Sequence, residues 1–321
     1  MQMLKSLLKK IGITVLIPAA VYGIFSILRP AVFLSGNMVY SVCLQSVTTC
    51  ILAWGISFSM TAGIVDFSVA AERILGSVLG VLLSRTMGIP GLIVGAFAVA
   101  IVMGAVKGIL NSMIKMSSMV ISVAYCFIIG AIGSMIQGTN SMILTNDVCV
   151  LGQSPAIWII FMVCGAAIFF LHQYSIFGAN CRALGGNGKI AGDAGVSKGK
   201  TEAKAIMIAS LFGGISGIVA TSYGAGTAAQ VGLASMSLIF PAIIGFNIGL
   251  LLQKTVNITF GCIAGVVTMN ILATGLISLG IPSQLKDTVT GAFLLFLMCC
   301  NSILDRKRAE SLRRQASQMK A

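Results

Sequence analysis

The sequence contains few residues of the kinds that carry enzymatic chemistry. Of its 321 residues only 8 are Asp or Glu, one is His, and charged residues make up 9%. The single histidine, His172, cannot build a metal site or a catalytic triad alone, so we expect a role at a helix end. No His-Glu-x-x-His or Gly-x-Ser-x-Gly motif is present. Catalysis by this chain is therefore not expected, and no cofactor of its own is predicted.

The cysteines and the basic charge also lack the context that would give them a special role. The nine cysteines include no Cys-x-x-Cys pair, and most fall in apolar runs, where cysteine packs as a small hydrophobic residue. A net charge of +13 suits nucleic-acid binding, but basic residues that border apolar runs more often report membrane topology. No nucleic-acid partner is predicted.

Long apolar runs fill most of the chain. Hydrophobic residues make up 57% and the mean hydropathy is +1.00, values typical of an integral membrane protein. The runs lack the alternation of barrel strands, so we predict an all-α bundle of about ten transmembrane helices. The predicted helices are 11–28, 38–62, 67–86, 91–110, 118–136, 156–172, 204–222, 236–252, 258–279 and 287–304.

Basic residues predict the orientation of these helices. With the N-terminus inside, 18 of the 21 Lys and Arg residues, Lys107 among them, fall at the inner face. Both termini are therefore predicted to be cytoplasmic. A transmembrane domain is expected over 1–304, with a basic cytoplasmic tail over 305–321 that touches lipid headgroups. Gln137–Pro155 and Ser222–Ser235 become external segments, either simple loops or a docking surface.

Phe177–Lys204, the central polar stretch, interrupts the apolar pattern most strongly. It is rich in glycine and charge, and such a segment cannot lie in lipid because unpaired backbone groups and charges are costly there. Residues 189–195 predict a helix of at most two turns, on the cytoplasmic side. Gly195–Thr201 resembles a phosphate-binding loop, but it is one residue short and no strand precedes it, so nucleotide binding is not predicted.

Four polar residues in or near the apolar runs are candidates for functional roles. Asp66 and Ser68 follow Gly63 at the end of a predicted helix, where they either cap the next helix or serve an inner gate. Asn111 and Asn247 are candidates for a translocation path, because an amide can bind a hydroxylated solute. An interhelical hydrogen bond is the alternative role of both amides.

The chain resembles the ribose-type permease subunits of bacterial ABC importers. Residues 63–68 are similar to the family's Gly-Gly-Ile-Asp-Leu-Ser segment, and 182–187 to its Ala-Ile-Gly-Gly-Asn loop. Further similarity lies at 108–111 with 119–122, and at 204–217.

The resemblance implies a permease for a sugar or sugar-like solute in the bacterial plasma (inner) membrane. It implies paired permease subunits, an external solute-binding protein and cytoplasmic ATPases that bind the ATP and magnesium. It also assigns ATPase coupling to the central polar stretch, at Asn187, Lys189, Ala191, Asp193 and Gly195.

Several positions depart from the family pattern. Ile64 replaces a glycine, the charged pair Glu72/Arg73 is unusual, and Lys189 stands where an acid is common. Residues 235–237 read Ser-Met-Ser where the family has Glu-Leu-Asp. These departures suggest that the chain pairs with a different, more typical permease.

Three alternatives remain open from the sequence. One is a related ABC permease for nucleosides or branched-chain amino acids. The second is a carrier or channel without an ATPase, against which the absence of acids in the cores of the fifth to ninth predicted helices argues. The third is a membrane scaffold that does not transport.

Overall fold

The structure, a computed structural model, describes residues 2–114, 116–253, 256–282, 285, 288–296 and 298–299. These residues form helices and no β-strand, apart from one isolated antiparallel bridge between Ile143 and Gly226. The all-α expectation is confirmed for this part of the chain. The predicted tail 305–321 lies outside the described residues, as does part of the predicted helix 287–304.

Twelve α-helices are labelled in chain order over 2–278. They are α1 (Gln2–Leu28), α2 (Pro30–Phe33), α3 (Gly36–Thr61), α4 (Ser68–Met87), α5 (Ile89–Met113), α6 (Ser118–Gln137), α7 (Ala156–Tyr174), α8 (Ile176–Gly186), α9 (Gly188–Asp193), α10 (Lys198–Tyr223), α11 (Phe240–Leu252) and α12 (Ile258–Ser278). Short 3-10 turns occupy Cys149–Gly152 and Ala234–Leu238.

Seven of the described helices are long and apolar enough to cross a membrane. They are α3, α5, α6, α7, α10, α12 and the segment Ala234–Leu252 that includes α11. The apolar part of α1, Thr14–Leu28, is shorter, and α4 carries Glu72, Arg73 and Arg85. The protein is therefore a multi-pass membrane protein.

The first nine predicted helices each coincide with a described helix, but the central polar stretch is more helical than expected. Residues 176–186 form α8, and α10 begins at Lys198 instead of at residue 204. In α8 the side chains of Cys181 and Leu184 are buried with Gly178 at spacings of three residues. This single apolar face stabilises a helix whose overall composition is polar.

The described chain divides into two compact units. One contains residues up to Met38 and those from Ile244 onward, and the other contains Val39–Ile243. In the larger unit α4 contacts α5, α6 and α10, and most of its residues are buried. In the other unit α1 packs against α12. The predicted domain 1–304 stays a prediction.

Close glycine contacts join neighbouring helices within each unit. A Cβ atom on Gly95 of α5 would lie 2.6 Å from the Gly80 Cα of α4. A Cβ atom on Gly261 of α12 would lie 2.7 Å from the Gly249 Cα of α11. Distances this short leave no room for a side chain, so the small-residue spacing in the sequence does serve helix packing.

Candidate functional site

The centre of the polar region is Asn187, which separates α8 from α9. Its backbone N–H donates to the Ala183 carbonyl at 3.1 Å and so closes α8. Its side-chain oxygen accepts the N–H groups of Lys189 at 3.0 Å and Ile190 at 3.2 Å, which caps the start of α9. One residue therefore ends one helix and begins the next.

Gly195 ends α9 with a positive φ of 86°. Its N–H donates to the Gly192 carbonyl, and the Val196 N–H donates to the Ala191 carbonyl, both at 2.9 Å. This pair of bonds is the Schellman arrangement, which requires a left-handed residue at Gly195. With caps at both ends, this six-residue helix has a defined shape despite its length.

Contacts of α8 hold the polar region against the neighbouring helices of the larger unit. The Arg182 guanidinium donates a hydrogen bond to the His172 carbonyl near the end of α7. Cys181 is fully buried, and burial raises the pKa of its thiol to about 11, so the thiol stays protonated at neutral pH. Cys181 and Arg182 belong to the central polar stretch, in which only 189–195 were expected to be helical, and the structure places both in a helix that packs on the protein.

The five predicted coupling residues are close in the structure but differ in exposure. Asn187, Lys189, Asp193 and Gly195 are exposed, whereas Ala191 is only 4% exposed and faces inward. Any role of Ala191 in coupling is therefore to seat α9 on the protein. The sequence reasoning missed Ile190, whose side chain is 65% exposed. As the one large apolar residue between the caps, it was recognisable in the sequence.

A second candidate site lies inside the larger unit, where Lys107 of α5 meets two acids. Its Nζ is 2.8 Å from Asp66 Oδ2 and 2.6 Å from Glu72 Oε1. It also donates to Ser68 Oγ at 2.8 Å. We call these four residues the ionic cluster; none of them is more than 6% exposed.

The ionic cluster also organises the start of α4. Asp66 Oδ1 accepts the backbone N–H of Ser68 at 3.0 Å and its hydroxyl at 2.8 Å. Asp66 therefore bonds to the first residue of α4, but the N-cap residue itself is Phe67 and α4 has no side-chain cap hydrogen bond there, so the capping role stays a prediction. A Schellman turn at Gly63 (φ 84°) ends α3 just before it. The inner-gate role of Asp66 and Ser68 stays a prediction.

Lys107 is one of the basic residues that the charge count placed at the inner face. Its side chain does not face water, because it is 2% exposed and paired with two acids. Its location at the inner face stays a prediction. The same ion pair accounts for the unusual acid at position 72, because Glu72 is one of the two carboxylates that bind Lys107. Two carboxylates and one ammonium group leave a formal charge of −1, and Glu72 Oε2 has no hydrogen-bond partner in the described part of the chain.

Asn111 joins three helices at one end of α5. Its Nδ2 donates to Glu202 of α10 at 3.2 Å, and its Oδ1 accepts the Ser118 hydroxyl of α6 at 2.6 Å. These residues line a polar cavity of about 370 Å³ together with Lys198. The interhelical alternative is therefore observed for Asn111, and its role in a translocation path stays a prediction. Asn247 is 8% exposed in α11 and belongs to the other unit.

His172 has structural contacts, as expected. It is 3% exposed near the end of α7, with its Nε2 2.7 Å from the Ser57 hydroxyl and its ring stacked on Phe58 at 3.9 Å. Among the described residues, no group of three or more His, Cys, Asp or Glu side chains is placed to hold a metal ion.

Backbone hydrogen bonds connect the two predicted external segments. The Leu144 N–H donates to the Ala225 carbonyl at 3.0 Å, and the Thr227 N–H donates to the Met142 carbonyl at 2.9 Å. The Gln137 side chain accepts the Ala229 N–H at 2.6 Å. Segments that are 81 to 92 residues apart in the chain therefore form one ordered surface, and no local residue pattern predicts that they pair.

Comparisons with known proteins agree with this arrangement. The Probable ABC transporter permease protein YphD of Escherichia coli (strain K12) is 25% identical over 160 residues, which is 50% of this chain and 47% of that protein. The chain thus spans about half the length of that relative. The L-arabinose ABC transporter permease protein AraH of Azospirillum brasilense is 24% identical over 249 residues, 74% of this chain and 72% of that protein. No solved structure matches.

A family model gives the broadest match. The family described as the branched-chain amino acid transport system / permease component matches residues 38–298. That range covers both capped ends of α9, the ionic cluster and the seven apolar helices described above, except for the first two residues of α3. The chain belongs to this family of ABC transporter permeases.

Proposed function

We propose that the chain is the translocating subunit of an ATP-driven importer for a sugar or a sugar-like small polar solute. Membership of the permease family supports the transport role, and the L-arabinose permease among the relatives supports the solute class. In this proposal the chain lies in the bacterial plasma membrane with ten spans and both termini in the cytoplasm. The positive-inside distribution of Lys and Arg supports that orientation.

The observation that carries the proposal is the exposed, doubly capped helix α9. Ile190 is 65% exposed, and an apolar side chain is stabilised only when its surface is removed from water. Lys189 and Asp193 flank it with charges of both signs. A rigid element with an apolar tip and a polar rim has the anatomy of a protein-docking site. We assign it to a cytoplasmic ATPase subunit that binds the ATP and magnesium.

Coupling follows from the way α9 is attached. Ala191 is buried, and Arg182 anchors α8 to the end of α7, so a force on α9 is transmitted to a membrane helix. ATP-driven closure of two ATPases would draw the two α9 helices of a permease pair together. The solute path would then switch between its outward- and inward-facing forms.

The joined external segments are the proposed docking surface for a solute-binding protein. Their order comes from the backbone bonds between 142–144 and 225–227, and Ile143 there is 69% exposed. The second permease of the pair is proposed to be a different, more typical chain, as the departures at 235–237 suggest.

Affinity purification from mild detergent tests the proposal. We expect an ATP-binding subunit to copurify with the parent protein and to be lost with Asp193→Arg or Gly195→Trp. Asp147→Arg is the matched control, because it makes the same charge change at an exposed residue of the external segments. Failure of any ATPase to copurify, with other membrane complexes intact, would reject the proposal. A second permease in the eluate would establish the mixed pair.

The family description favours one other solute class, the branched-chain amino acids. Nucleosides are a further alternative within ABC permeases. Uptake of labelled L-arabinose, leucine and uridine into vesicles with ATP inside separates the three. Uptake driven by ion gradients without ATP would instead identify a carrier or channel.

A further inference from the structure

The phosphate-loop-like segment 195–201 forms the start of the long helix α10. Ser197 is the N-cap residue, with φ −71° and ψ 108°, and its side chain makes no capping hydrogen bond. The first helical hydrogen bond is donated by the Thr201 N–H to the Ser197 carbonyl at 3.0 Å. The N–H groups of residues 198–200 precede it and have no acceptor within the helix. These groups and the helix dipole give this end a partial positive charge.

A cavity of about 450 Å³ opens beside this helix start. It is bounded by α8, by the connection from α9 to α10 and by the first two turns of α10. Its polar lining comes from Asn180, Ser197, Lys200, Thr201 and Lys204. Lys200 and Lys204 are four residues apart and therefore lie on the same face of the helix.

Thr201 points to a ligand independently of the helix end. The residue is only 6% exposed and lines the cavity. Its hydroxyl group makes no hydrogen bond to a described residue and is not one of their fully buried unpaired atoms, so it is open to the cavity that the residue lines. Lys200 and Lys204 likewise form no ion pair with a described carboxylate, whereas Lys198 faces the other cavity, 3.9 Å from Glu202.

We propose that this cavity binds a phosphate group, either as the free anion or as the headgroup of an anionic lipid. The group would accept hydrogen bonds from the first-turn N–H groups and the Thr201 hydroxyl, while Lys200 and Lys204 neutralise its charge. Lipid phosphate is available at this polar end of α10, and free phosphate is available in the surrounding water. The inference does not rest on the proposed transport function, since binding is measured on the chain alone.

Gly195 and Val196, which end α9, line the same cavity. The cavity therefore adjoins the C-terminal end of α9 as well as the start of α10. This places the site next to the proposed docking helix without making it part of the docking surface.

The test is binding to the purified full chain in a nonionic detergent at low salt. In one arm, labelled inorganic phosphate is titrated by equilibrium dialysis. In the other, the chain is placed in nanodiscs of phosphatidylcholine with phosphatidylglycerol, and the lipids that copurify with it are counted. The variants are Lys200→Gln/Lys204→Gln and Thr201→Val. Lys198→Gln is the matched control, since Lys198 lies in the same turn but lines the other cavity.

We expect the double lysine variant to weaken binding about tenfold or more, and Thr201→Val to weaken it severalfold, as hydrogen bonds to a charged group require. Lys198→Gln should leave binding unchanged. If the cavity variants lose binding of inorganic phosphate, the ligand is the free anion. If they lose only bound phosphatidylglycerol, the ligand is the lipid headgroup. Either result supports the site.

Three results would overturn the inference. One is the absence of binding that depends on these residues in both arms. Another is an equal loss with Lys198→Gln, and the third is unchanged binding in a folded Thr201→Val protein. The last two would mean that general surface charge, and not the cavity, attracts the anion.

Discussion

The ionic cluster and α9 are both built from charged residues, but they use charge in opposite ways. In the cluster, Lys107 contacts two carboxylates at 2.6 and 2.8 Å, and the three side chains are at most 3% exposed. In α9, Lys189 and Asp193 are exposed and form no ion pair among the described residues. Buried charges must be compensated within the protein, while exposed charges are available to a partner. The cluster is therefore expected to control stability, and α9 to control association.

The largest predicted effect is that of Lys107→Met. The substitution leaves Asp66 and Glu72 as two uncompensated carboxylates in a buried site. Removal of one partner of a buried pair costs about 3–5 kcal/mol. We expect a loss of that size in the free energy of unfolding, measured by denaturant titration in mild detergent. Lys189→Met in α9 is the control, with a change within about 0.5 kcal/mol. Equal effects of the two substitutions would show that the buried Lys107 contributes no more to stability than the exposed Lys189.

A smaller effect is predicted for Glu72→Gln. The glutamine keeps an oxygen that accepts from the Lys107 ammonium group, and the formal charge of the cluster changes from −1 to zero. We therefore expect a change in the free energy of unfolding within about 1 kcal/mol, well below that of Lys107→Met. The same denaturant titration measures it. A loss as large as that of Lys107→Met would show that both carboxylates must be charged.

The positions of most helices and the glycine ends of two of them could be predicted from the sequence, because they depend on local residue types. Apolar runs located nine helices, and glycines next to polar residues marked the ends of α3 and α9. The partners of Lys107 could not be predicted, since Asp66 and Glu72 are 41 and 35 residues away and meet it only through packing of α4 on α5. For the same reason α8 was missed: its helix is stabilised by burial of Cys181 and Leu184 and by the contact of Arg182 with α7.

The cap of α9 should give a local effect. Asn187→Ala removes the side-chain oxygen that accepts from Lys189 and Ile190, and loss of such a cap costs about 1 kcal/mol. We expect amide hydrogen exchange in 188–194 to become about fivefold faster, while the free energy of global unfolding is unchanged. Ser175→Ala removes the equivalent cap of α8, a 2.9 Å bond from the Gly178 N–H. It should accelerate exchange in α8 and leave α9 unaffected; faster exchange in both helices would mean that they open as one unit.

The smallest effect on stability, and the sharpest on association, is predicted for Ile190→Ser. The side chain is 65% exposed, so its replacement should change the free energy of unfolding by less than about 0.5 kcal/mol. If Ile190 is the apolar contact of α9 with an ATPase, copurification of that subunit should nevertheless fall about tenfold or more, as for an interface hot spot. Ile143→Ser, at a 69% exposed isoleucine of the external segments, should leave ATPase copurification intact. Undiminished copurification with Ile190→Ser would show that the exposed apolar tip does not carry the contact, and the charges of Lys189 and Asp193 would then be tested in its place.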